Sequence, residues 1–106
     1  MSAKNSFQSK IKGLQNTAQL ISFQKEQLEL GKKQVEHSIK TLENETPGDT
    51  YLSVGHIYVK YSNEAAKSKL ENRIKAIDVQ LKVLDKRMKQ IWGESQKLQE
   101  KMRNST

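Results

Sequence analysis

Two histidines, His37 and His56, and twelve carboxylates are the residues whose types could do acid–base or metal chemistry. A metal site needs ligands that meet on one face, and a nucleophilic triad needs a base beside a hydroxyl or thiol. His37 lies in a helix-forming run with no second ligand at helical spacing, and His56 follows a glycine, also without a partner. The chain has no cysteine, which removes thiolate zinc sites, cysteine nucleophiles and disulfides. No glycine-rich phosphate loop follows a strand. The acids instead alternate with lysines, as Glu29 does with Lys33 and Glu36 with Lys40, the spacing of ion pairs on a solvated helix face. The expectation is a protein that is not an enzyme and takes no metal, nucleotide or other cofactor.

These side chains must then act through the elements they build. Phe7, Leu14, Ile21, Leu28, Val35 and Leu42 recur every seven residues, with Ile11, Ala18, Lys25, Lys32 and Ile39 between them. Leu70, Ile74, Ile77, Leu81, Leu84, Met88, Ile91, Ser95, Leu98 and Met102 repeat the same alternation of three and four. This is the seam of a coiled coil, with helices expected over about 4–45 and 63–104. Antiparallel pairing sets Ile39 on Leu70, Val35 on Ile74 and Phe7 on Met102. The fold-back point then falls between Val54 and Gly55. Arms of roughly 40 residues at about 1.5 Å per residue reach about 60 Å. Lys25 would face Leu84 and Lys32 would face Ile77, each laying its stem along the seam with the ammonium in water. Gly13, Gly31 and Gly93 fall inside the arms at about 1 kcal/mol each relative to alanine. They are either tolerated surface positions or, for Gly13 and Gly93, the mark of helix ends that fray.

The stretch between the arms, "TYLSVGHIYVKYS", has another period. Thr46, Pro47, Gly48 and Asp49 stop the first helix. Tyr51 to Val54 and His56 to Tyr61 read as strands of a hairpin over about 50–61, with Gly55 supplying a positive φ. The expected register sets Leu52 opposite Ile57 and Tyr51 opposite Tyr58. Leu52, Ile57, Val59 and Tyr61 then share one face, and Tyr51, His56, Tyr58 and Lys60 the other. Ser62, or Asn63 with Glu64, can cap the second helix. A lone hairpin is marginal in water and exposes two edges. Tyr51, Leu52, Val54, Gly55, Ile57, Tyr58, Val59 and Tyr61 are therefore expected to be an assembly element, pairing hairpins of several chains into a shared sheet or barrel.

At 106 residues, 34% hydrophobic and 29% charged, the chain suits helices that bury a narrow stripe in one domain, 1–106. The start, "MSAKNSFQSK", lacks the apolar run of a signal peptide, and no stretch is long enough to span a membrane. A cytoplasmic protein without a membrane partner is expected. The net charge is +7, and Lys4, Lys10, Lys12, Lys97, Lys101 and Arg103 concentrate it at the chain ends. Such ends attract acidic surfaces.

The whole pattern resembles the β class of prefoldin. "LQNTAQLISFQKEQLE", Leu14 to Glu29, is similar to the glutamine-rich first helix of that family, and Glu64 to Met102 to its second. The hairpin has the same tyrosine, small polar residue and turn glycine, and two hairpins would have indicated the α class. The resemblance implies a mainly α fold, a long antiparallel two-helix coiled coil whose central hairpin joins an intersubunit β-barrel. It implies a hexameric, ATP-independent cochaperone of two α-class and four β-class subunits. Coiled-coil tips would hold unfolded proteins, actin and tubulin in a eukaryote, and deliver them to a group II chaperonin. On that basis Phe7, Ile11, Leu14, Ile91, Trp92, Leu98 and Met102 are candidate client contacts. Lys4, Lys10, Lys12, Lys97, Lys101 and Arg103 are candidate chaperonin contacts. Two other readings are a coiled-coil tether or adaptor, and a basic coiled coil that binds nucleic acid. Against the latter, the basic residues are interspersed with acids and no aromatic platform is present.

Overall fold

The structure, a computed structural model, describes residues 3–44 and 48–104. Its elements are α1 (Ala3–Asn44), β1 (Asp49–Val54), β2 (Ile57–Ser62) and α2 (Asn63–Asn104). Two long helices flank one antiparallel two-stranded hairpin, so the chain is mainly α. Packing divides it into two units, Met1–Gln27 with Leu81–Thr106, and Leu28–Gln80. Among the described residues no helix is long and apolar enough to cross a membrane.

Local chemistry sets the ends of the elements. Within α1 the hydroxyls of Thr17, Ser38 and Thr41 donate to the carbonyls of Gly13, Gln34 and His37, four residues back, so these polar side chains are satisfied on the helix itself at a slight cost to its regularity. Thr46 and Pro47, expected to stop α1, lie outside the described residues; Gly48 is irregular and Asp49 opens β1. The α2 cap is the Ser62 hydroxyl, which accepts the Ala65 N–H at 3.2 Å. Asn63 is buried in the first turn, and its amide donates to the Gly48 carbonyl at 2.9 Å. Glu64 in the first turn and Lys101 and Arg103 in the last turn of α2 complement its dipole.

In the unit Leu28–Gln80, Leu42, Ala66 and Leu70 form a buried cluster, with Val35, Ile39, Leu52 and Tyr61 packed against it. Lys67 reaches Glu43 at 2.9 Å and Lys32 reaches Asp78 at 2.8 Å. The hydrogen bond to Asp78 raises the Lys32 pKa above its ordinary 10.5, and the one to Glu43 does the same for Lys67. In the other unit, Ala18, Ile21, Leu84 and Ser95 are buried and Lys25 pairs with Asp85. The seam lysines thus lie where the heptads put them, and each ammonium takes the aspartate next to its expected partner. Every other seam position from Phe7 to Met102 is buried or half-buried.

Candidate functional site

The hairpin is closed by a two-residue turn, Gly55–His56. Its pairs are Val54 with Ile57, Ser53 with Tyr58, Leu52 with Val59, Tyr51 with Lys60, Thr50 with Tyr61 and Asp49 with Ser62. Gly55 has φ +61°, and no other described residue has a positive φ. A positive φ at the first central position alone makes this a type II′ turn, whose twist matches that of the strands. The expected pairs, Leu52 with Ile57 and Tyr51 with Tyr58, are therefore corrected by two residues. His56, expected in the second strand, is in the turn. The reason is local: the glycine must be the first turn residue, so the centre lies between Gly55 and His56. A slip of two keeps the alternation of faces. Leu52, Ile57, Val59 and Tyr61 share one face as expected, joined by Thr50 and Val54, while Tyr51, Tyr58 and Lys60 share the other.

The two halves of the apolar face differ. Leu52 and Tyr61 pack on the Leu42, Ala66 and Leu70 cluster, and Val59 is half-buried. Toward the turn, Val54 is 45% exposed and Ile57 62%. On the opposite face Tyr51 and Tyr58 are 64% and 75% exposed. Lys69 of α2 lies 5.1 Å from the centre of the Tyr61 ring, and Arg73 donates to the Ser53 carbonyl at 3.2 Å. These contacts seat the hairpin on α2 and leave its turn end apolar and open.

In the unit that holds both chain ends, Phe7, Ile11, Leu14, Ile91, Leu98 and Met102 are all half-buried seam residues. Ile11 and Met102 line a groove of about 640 Å³ with Gln8, Lys12, Gln15, Gln99 and Arg103. Two candidate apolar contacts and two candidate charged contacts thus meet at one place. Lys10, Lys97 and Lys101 are exposed; the Lys4 side chain lies outside the described residues. A second groove, about 440 Å³, is lined by Trp92, Phe23 and Ala18, with Gln15, Gln19, Ser22 and Glu26. Trp92 is 57% exposed and Phe23 58%. Phe23 went unread because it lies off the seam. A signal does exist, since Trp92 holds the heptad position of Asp78 and Asp85, and Ala18 that of Lys32 and Lys25. Where the first two repeats make an ion pair, the third has an indole and a methyl group, both lining this groove.

His37 and His56 are both exposed, and among the described residues no three His, Asp or Glu side chains gather as a metal site would require. Residues 6–105 match the prefoldin subunit family. A prefoldin subunit beta of Methanothrix thermoacetophila is 33% identical over 94 residues, covering 87% of this chain and 78% of that protein. The crystal structure of the prefoldin beta subunit from Thermococcus strain KS-1 has the same fold. It matches with a TM-score of 0.87 over 99% of this chain and 93% of that one, at 19% identity. With this fold, one hairpin and a match over nearly its full length, the chain belongs to the prefoldin subunit family, in its β class.

Proposed function

We propose that this chain is a β-class subunit of a hexameric prefoldin, which holds unfolded proteins without ATP and passes them to a group II chaperonin. Family membership makes it a chaperone component that assembles with other prefoldin subunits. The observation that carries the fuller reading is the uncovered hairpin. Tyr51, Val54, Ile57 and Tyr58 expose apolar surface on a sheet that has only two strands among the described residues. Such a sheet gains stability by pairing with α-class and other β-class hairpins.

The test is native mass by light scattering, for the chain alone and mixed with an α-class subunit. A six-chain complex that forms only in the mixture supports the reading; a monomer or dimer in both overturns it. The groove of Ile11 and Met102, bordered by Lys12 and Arg103, supports client holding at that end of the unit. Its polar rim and adaptable methionine suit varied partners. Alanine at Phe7, Ile11, Leu98 and Met102 is expected to abolish suppression of aggregation of a denatured protein, measured without ATP, with the six-chain mass retained. Undiminished suppression removes those residues from the site and leaves Trp92 with Phe23 as the stronger candidate.

A further inference from the structure

The two edges of the hairpin are not equivalent, and the difference lies in which backbone groups point outward. In an antiparallel ladder, pairs that exchange hydrogen bonds alternate with pairs that do not. A two-residue turn makes its flanking pair, here Val54 with Ile57, a bonded one. Leu52 with Val59 and Thr50 with Tyr61 are then bonded too, and the Asn63 amide on the Gly48 carbonyl continues the series. The N–H and C=O groups of Asp49, Tyr51 and Ser53 therefore point away from β2, and those of Tyr58, Lys60 and Ser62 point away from β1. These are the groups that an added strand would bind.

At the β1 edge the Ser53 carbonyl is taken by the Arg73 guanidinium of α2. Val54 beside it borders a groove of about 380 Å³ with Lys69, Asn72, Arg73 and Ala76, so α2 flanks this edge at the turn end. At the β2 edge no side chain among the described residues bonds the outward groups of Tyr58 and Lys60. A strand that added to β1 would have to displace a charge-assisted hydrogen bond, and one that added to β2 would displace only water.

We propose that β2 is the edge that takes the first strand of a partner prefoldin subunit, and that Arg73 holds the β1 edge closed until it releases Ser53. This rests on the reading of the hairpin as the assembly element. The partner is an extended strand, bound mainly through its backbone, with the exposed Tyr58 and Ile57 side chains of β2 beside it.

Pulsed hydrogen exchange, read by NMR as the chain is mixed with an α-class subunit, tests the order directly. The outward amides of Tyr58 and Lys60 are expected to gain protection first, and those of Tyr51 and Ser53 later or not at all. Protection of Tyr51 and Ser53 first, or of both edges together, overturns the proposal. The variant Arg73→Met keeps an unbranched, flexible side chain and loses the guanidinium donor. In it the β1 amides should gain protection in step with those of β2, and a lag that persists removes Arg73 from the role. If no amide is protected and no six-chain mass forms, the assembly reading itself fails, an outcome distinct from either of these.

Discussion

Gly55 occupies a backbone conformation that side chains adopt only under strain, at a cost of order 1–3 kcal/mol. Gly55→Val is expected to destabilise the isolated chain by about that amount in thermal melting. It should also lower the yield of six-chain complex, since the register of all six pairs starts from this turn. A variant that melts and assembles like the parent would show that the turn has a second solution. Gly13 and Gly93 are different, because a methyl group added at either meets nothing within 4 Å. No packing demands a glycine there, so alanine at each should stabilise by about 1 kcal/mol through helix propensity alone. If loosening of these helices contributes to client capture, the double variant Gly13→Ala with Gly93→Ala will hold less denatured protein at unchanged assembly. Equal holding by a measurably stiffer chain would separate capture from fraying.

Among the elements, the helices were readable in the sequence because a seven-residue period sustained from Phe7 to Leu42 and from Leu70 to Met102 has few other physical solutions. The strand faces were equally readable from their period of two. The pairing within the hairpin was not, since it depends on the φ of one glycine and not on hydrophobic pattern. Nor was the division of the hairpin's apolar face. Whether Leu52 and Tyr61 serve a partner or their own helices is decided by Leu42, Ala66 and Leu70, which the chain brings in from both sides. The seam lysines could be placed from sequence, but their aspartates lie beside the seam and needed the structure. Those pairs carry a pH prediction. The Lys32 pKa is raised in the folded chain, so the contribution of Lys32 with Asp78 is complete below pH 10.5 and is lost as pH rises through the raised value. Melting measured across pH 10.5 should fall less steeply for Lys32→Met than for the parent. An unchanged slope would show that this half-exposed pair contributes nothing, as many surface pairs do.

For the molecule as a whole, a net charge of +7 sets the long-range behaviour. Lys10, Lys12, Lys97, Lys101 and Arg103 are exposed in the same unit as the Ile11 and Met102 groove. Docking of the assembled complex on a chaperonin should weaken with salt, since exposed charges are screened over about 10 Å at 0.1 M. Salt-independent docking would transfer that role to apolar contacts. The third heptad repeat offers a further consequence. Trp92 is the single tryptophan of the chain, half in water, in the packing unit that does not contain the hairpin. Its fluorescence is therefore a built-in reporter of one end of the chemistry. If clients also reach the groove that Trp92 lines, emission should move to shorter wavelength when a client without tryptophan covers it, and stay where it is when hairpins pair. The same cuvette can then distinguish a subunit that has found its partners from one that has found its cargo.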